Sequence, residues 1–118
     1  MDYRDIVKYF NIDVNNHQLY IDAFTHSSFS NENKKMCNDY EQIEFIGDAV
    51  LDLIVADLVF KQYPTMKQGE LTKLRSNLVC SSSLAGYAKE YGFQSAIRLG
   101  HGERQSGGPN QKILEDVF

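Results

Sequence analysis

The chain has 118 residues, room for one compact domain and too few for two. Its 42% hydrophobic and 24% charged residues exclude a disordered or fibrous chain, and no apolar run reaches membrane-spanning length. The net charge of −4 argues against a dominant nucleic-acid surface, although residues 1–60 carry −7 and residues 61–118 carry +3, so the second half suits a polyanion better.

The first ten residues, MDYRDIVKYF, lack the basic-then-apolar order of a signal peptide. Their spacing predicts a short helix over residues 2–10 with Ile6, Val7 and Phe10 as its apolar stripe. Asn15 or Asn16 is placed to cap a second helix, with Leu19, Ala23 and Phe24 inward, fading near THSSFSNEN. A long third helix is expected from Asn38 or Asp39 to about Tyr63, where Pro64 ends it. From Ile43 to Phe60 it is apolar nearly all round, the pattern of a central helix enclosed by others.

A fourth helix is expected from Gly69 to Cys80, with Leu71, Leu74, Leu78 and Val79 on one side. Ser82 or Ser83 then caps a fifth, closed by Gly92. GHGERQSGGPN reads as a polar loop, and Asn110 caps a last helix, QKILEDVF. Cys37 and Cys80 lie far apart with no Cys or His at zinc-ligand spacing, which points to a reduced, cytoplasmic setting. The expectation is a single all-α domain over residues 1–118, a multi-helix bundle around the long helix.

Within DYEQIEFIGDAVLDLIV, Glu41, Glu44 and Asp48 fall three, four and seven positions apart and so share one helix face. Like charges so placed repel, and a hard divalent cation such as Mg²⁺ relieves that repulsion. A solvated first turn, where acids suit the helix dipole, is the competing reading. It serves Glu41 well and Asp48 poorly, since Asp48 lies beyond the first turn. Gly47, costing roughly 1 kcal/mol relative to alanine inside a helix, suggests close approach by a backbone or a ligand. Near the far end, Asp116 sits among Ile113, Val117 and Phe118 and is more inward than Glu115.

These segments resemble the ribonuclease III family. YEQIEFIGDAVLDL keeps the signature's Glu41, Glu44, Phe45, Gly47, Asp48 and Ala49, with Ile46 in place of leucine. FTHSSFSNEN, GELTKLRSNLV, RLGHGERQSGG and KILEDVF resemble, in order, four further family segments, so the likeness covers most of residues 22–118 and is closest to bacterial-type members. Departures are His101 where lysine is common, Arg104 where glutamate is common and Pro109 where arginine is common.

The resemblance implies a homodimeric, all-helical endonuclease domain that hydrolyses double-stranded RNA with Mg²⁺, Mn²⁺ able to substitute. RNA processing, rRNA precursors included, and products with 5′-phosphate and 3′-hydroxyl ends are the expected role and outcome. Residue by residue, it implies Glu41, Glu44, Asp48 and Asp116 as catalytic acids, with Glu44, Asp48 and Asp116 nearest the metal. Glu41, Lys73, Arg75, His101 and Ser106 are candidate RNA contacts, and Phe45 is a candidate dimer contact. Arg75 has a second candidate role, an ion pair steadying the acidic site; Lys67 is a further candidate cation.

A family glutamate is expected at residue 119, past Phe118, so the domain is expected to be incomplete there, without the double-stranded-RNA-binding domain that often follows. A non-catalytic helical dimer that binds or organises RNA is the alternative. His26 with Ser27 and Ser28 lacks an orienting third residue for nucleophilic chemistry, so a hydrogen-bonding role at a helix end is expected.

Overall fold

The computed structural model describes residues 2–33 and 37–118. Helix α1, Tyr3–Tyr9, opens on a reciprocal cap in which the Asp2 side chain accepts from Arg4 N–H and the Asp5 side chain accepts from Asp2 N–H. Helix α2, His17–Ala23, is capped by Asn16, whose Oδ1 accepts from Gln18 and Leu19 N–H. Helix α3, Ser27–Glu32, stands where the sequence pattern fades. Helix α4, Glu41–Gln62, ends just before Tyr63-Pro64, and α5, Gln68–Val79, follows.

Helix α6, Ser81–Glu90, has Cys80 at its N-cap position, not Ser82 or Ser83, and neither serine caps it. Ser83 instead donates to the Asn77 carbonyl, 2.8 Å away, and bridges back to the end of α5. Gly92 takes a left-handed φ of 76°, a conformation open to glycine, and leads into a 3₁₀ turn at Phe93–Ser95. The polar loop contains a further short helix, α7, His101–Gln105, followed by Gly107 and Gly108 at positive φ. Asn110 caps α8, Gln111–Val117, as expected, its Oδ1 accepting from Ile113 N–H. Among the described residues the one extended contact is a parallel bridge between Thr25 and Arg98.

The core lies between α1, the end of α2, α6, the Phe93–Leu99 segment and α8. Ile6 and Val7 face it as expected and Tyr3 joins them, whereas Phe10 and Leu19 are exposed. Helix α8 packs along α6, and its Ile113 and Leu114 are buried. No residue of α4 belongs to this cluster.

The all-α expectation holds, but α4 is not the enclosed helix its composition suggests. Its Phe45 is 82% exposed and Leu53 70%, and Ile46, Ile54, Leu58 and Phe60 are also exposed. A helix apolar on every side needs neighbours on every side, and within this chain α4 rests chiefly on α5, with lesser contact to α2. The α4–α5 pair extends the molecule to 52 × 31 × 24 Å with a radius of gyration of 15.9 Å. A compact domain of this length would have about 13.5 Å.

Candidate functional site

Helices α4 and α8 meet across a cavity of about 240 Å³. Its polar lining comes from Tyr40, Glu44, Asp48, Glu115 and Asp116; Ile43, Leu51 and Leu84 are among its apolar walls, and Gly47 borders it. The entry to α4 is fixed by backbone. Tyr40 N–H donates to the Thr25 carbonyl at 3.0 Å, and Thr25 is bridged to Arg98, whose Nε donates to Thr25 Oγ1 at 2.9 Å. On the other wall, burial of Ile113 and Leu114 sets the rotation of α8 and aims Asp116 at α4.

Asp116 is the best-held acid of the site. Its side chain is only 9% exposed, and both carboxylate oxygens are engaged. Tyr40 Oη donates to Oδ2 at 3.1 Å, and Lys112 Nζ, one turn earlier on α8, donates to Oδ1 at 2.8 Å. Burial, and then the Asp116 charge, push the Tyr40 phenol far above its ordinary range, so it remains a proton donor. The Asp116 hydrogen bond, reinforced by its charge, holds the Lys112 ammonium protonated beyond its usual range.

Glu44, half-buried in α4, holds its proton more tightly than an ordinary glutamate. Burial is the largest cause, followed by the facing Asp116 charge; Lys112 offsets part of it, while the Asp48 charge adds to it. Two carboxylates from separate helices therefore crowd one another, an arrangement that added positive charge relieves.

The structure thus brings Glu44, Asp48 and Asp116 to one cavity. Glu115 also borders it, but the hydrogen bonds go to Asp116. Glu41 lies outside the lining, exposed on the first turn of α4, with its N–H donated to Asp39 Oδ1. Gly47 is open: a Cβ there would meet nothing within 4 Å, so among the described residues no other part of the chain makes the close approach its helical position suggested.

Arg75 does not steady the acids. It borders a separate groove between α4 and α5 with Asp57, Phe60 and Leu71. Lys73 is exposed on α5. His101 and Ser106 belong to α7 and its end, not to an open loop, with His101 Nε2 paired to Gln105 and Ser106 Oγ donating to the Gly102 carbonyl. His26 caps α3 as expected, its Nδ1 accepting from Ser28 N–H and lying 2.7 Å from Ser28 Oγ. Sequence reasoning passed over Tyr40 and Lys112. The i,i+4 spacing of Lys112 and Asp116 was a visible signal for the second; nothing local marked the first.

The donor set is all oxygen, which suits Mg²⁺, a cation commonly held by one or two carboxylates and completed by water. Glu44 and Asp116 meet that description. Among the described residues no three His, Cys, Asp or Glu side chains form a ligating group, so Asp48 stands beside the pair as a neighbour on the same cavity.

The Ribonuclease-III-like family model matches residues 16–118. Ribonuclease 3 of Lactobacillus acidophilus is 50% identical over 111 residues, covering 92% of this chain and 49% of the relative. Ribonuclease 3 of Bacillus cytotoxicus is 51% identical over 105 residues, covering 87% and 43%. The chain spans about half the length of these curated relatives. A solved nuclease domain of ribonuclease III from Campylobacter jejuni superposes with a TM-score of 0.87 at 32% identity, covering 98% of this chain and 78% of that one. Structural flexibility in a region involved in dimer formation is described for that domain.

Proposed function

The chain belongs to the ribonuclease III family, and on that premise we propose that it is the nuclease portion of an endoribonuclease that hydrolyses phosphodiester bonds of double-stranded RNA at the α4–α8 cavity. The observation that carries the proposal is the convergence of Glu44 and Asp116, from helices distant in sequence, on one cavity whose polar groups include their carboxylates. Glu44 and Asp116 are the residues to hold Mg²⁺, or Mn²⁺ in its place, with Asp48 contributing from the same wall. Bound there, the cation supplies an activated water and positive charge against the non-bridging phosphate oxygens.

The remaining roles follow from placement. Tyr40 fixes one oxygen of Asp116 and so sets its orientation toward α4. Glu41, outside the cavity, serves as a contact to the RNA strand or its water. Lys73 and Arg75 face the RNA backbone in this reading, with counterion release as the driving force, and His101 and Ser106 hydrogen-bond to it. Phe45 and the uncovered apolar residues of α4 receive a second copy of the chain, giving a homodimer. The products carry 5′-phosphate and 3′-hydroxyl ends, the role is cytoplasmic RNA processing, rRNA precursors included, and no helix among the described residues is long and apolar enough to cross a membrane.

The test is cleavage of a labelled RNA duplex with Mg²⁺, with end-group analysis of the products and with Asp116→Asn and Glu44→Gln beside the unaltered chain. Cleavage lost in both variants supports the reading. The alternative, an RNA-binding helical dimer without cleavage, is tested by the same assay. Duplex binding with no cleavage in any divalent cation would decide for it.

A further inference from the structure

In the structure each oxygen of Asp116 has a donor: Tyr40 on one and Lys112 on the other. These two donors differ in kind. Tyr40 is 6% exposed and also tied by its backbone to Thr25, so its hydroxyl cannot leave without moving the start of α4. The Lys112 side chain is 68% exposed on a flexible four-carbon stem, so its ammonium can swing into water at little loss. Its ammonium sits against Asp116 Oδ1 and its charge also acts on Glu44, so a metal ligated through that oxygen would take over its role.

We propose that Lys112 is a tethered stand-in cation: it occupies Asp116 Oδ1 in the metal-free chain and is displaced when a divalent cation binds. The proposal rests on the metal-site reading above. Lys112 keeps Asp116 oriented and its charge neutralised, and metal binding at Oδ1 breaks that ion pair. Lys112 is a positioning residue, and its presence weakens metal affinity while steadying Asp116.

The experiment is a Mn²⁺ titration of the chain, read by the EPR signal of free Mn²⁺, with Lys112→Met, Lys112→Arg and Asp116→Asn. Alongside it, the Lys112 Nζ resonance of the unaltered chain is followed by NMR as Mg²⁺ is added. Lys112→Met should bind Mn²⁺ about two- to fivefold more tightly, the range of a partly exposed ion pair. Lys112→Arg should stay near the unaltered chain, and the Lys112 resonance should move to the position of a solvated lysine at saturating Mg²⁺.

Equal or weaker binding by Lys112→Met, or a Lys112 resonance indifferent to Mg²⁺, overturns the proposal while leaving the metal site standing if Asp116→Asn still loses affinity. If Asp116→Asn binds Mn²⁺ as well as the unaltered chain, the metal reading fails and takes this one with it.

Discussion

Replacing Tyr40 by phenylalanine removes one oxygen atom and tests what holds Asp116. The ring keeps its packing, including the tilted contact with His26 at 5.9 Å, and the backbone tie to Thr25 is untouched. What goes is a 3.1 Å hydrogen bond from a neutral donor to a carboxylate whose side chain is 9% exposed. Hydrogen bonds to charged groups contribute about 1.5–3 kcal/mol, and a 3.1 Å bond at a cavity rim belongs at the lower end, about 1.5 kcal/mol. With an unfolding entropy of roughly 2.1 cal/mol/K per residue, that loss lowers Tm by about 6 °C.

The assay is urea unfolding of four proteins: the unaltered chain, Tyr40→Phe, Asp116→Ala and the double variant. In the Asp116→Ala background the hydroxyl has lost its acceptor, so Tyr40→Phe should be nearly neutral there. If Tyr40→Phe destabilises by less than about 0.5 kcal/mol, or by the same amount in both backgrounds, the hydroxyl does not hold Asp116 and the reasoning fails.

Gly100 offers a steric test: a Cβ there would lie 2.7 Å from the Ser28 carbonyl oxygen and would also meet Glu32, so α3 and α7 must part. Gly100→Ala should destabilise by about 1–3 kcal/mol. Gly102→Ala, in open space within α7, should instead stabilise by up to about 1 kcal/mol, and similar melting of the two variants would contradict this packing. Because the fold raises the Glu44 pKa, the folded chain binds that proton more tightly than the unfolded one. The resulting stability is complete below the ordinary glutamate range and is lost as pH rises through the raised value. Glu44→Gln should therefore be more stable than the unaltered chain at pH 7 without metal, by roughly 0.2–0.5 kcal/mol for one relieved like-charge pair. That gain should vanish below about pH 4, and urea unfolding across pH reveals whether it does. The exposed Cys80 thiol, with Ser82 and then Ser83 as its main hydrogen-bond partners, is drawn down to about 7, so iodoacetamide should alkylate it with a half-maximal rate near pH 7. A profile centred near the ordinary cysteine value of about 8.5 would contradict those contacts.

Features written within a few residues were legible in the sequence. Asn16 and Asn110 are local caps, Pro64 is a local stop, and the Glu44–Asp48 face follows from helical spacing alone. Helices α3 and α7 escaped notice because they are short, polar and weak in propensity. What supports them is contact between distant segments, such as Gly100 N–H donating to Ser28 Oγ at 2.9 Å. The composition of α4 showed that it wants cover, but periodicity cannot say whether the same chain supplies it, and among the described residues much of α4 is left exposed. The carboxylate wall was visible, but its fastening was not: Tyr40 and Asp116 are 76 positions apart, and only the fold makes them neighbours.

That separation also orders events in time. The α4–α5 pair is made of contacts close in sequence and can form early, whereas Tyr40–Asp116 and Thr25–Arg98 close loops 76 and 73 residues long. Loops of that length are expected to close after the local helices are in place, so the acids converge near the end of folding. In kinetic terms, Tyr40→Phe should quicken unfolding and leave the refolding rate almost unchanged. A chain caught midway would carry its long helix intact and its chemistry unassembled.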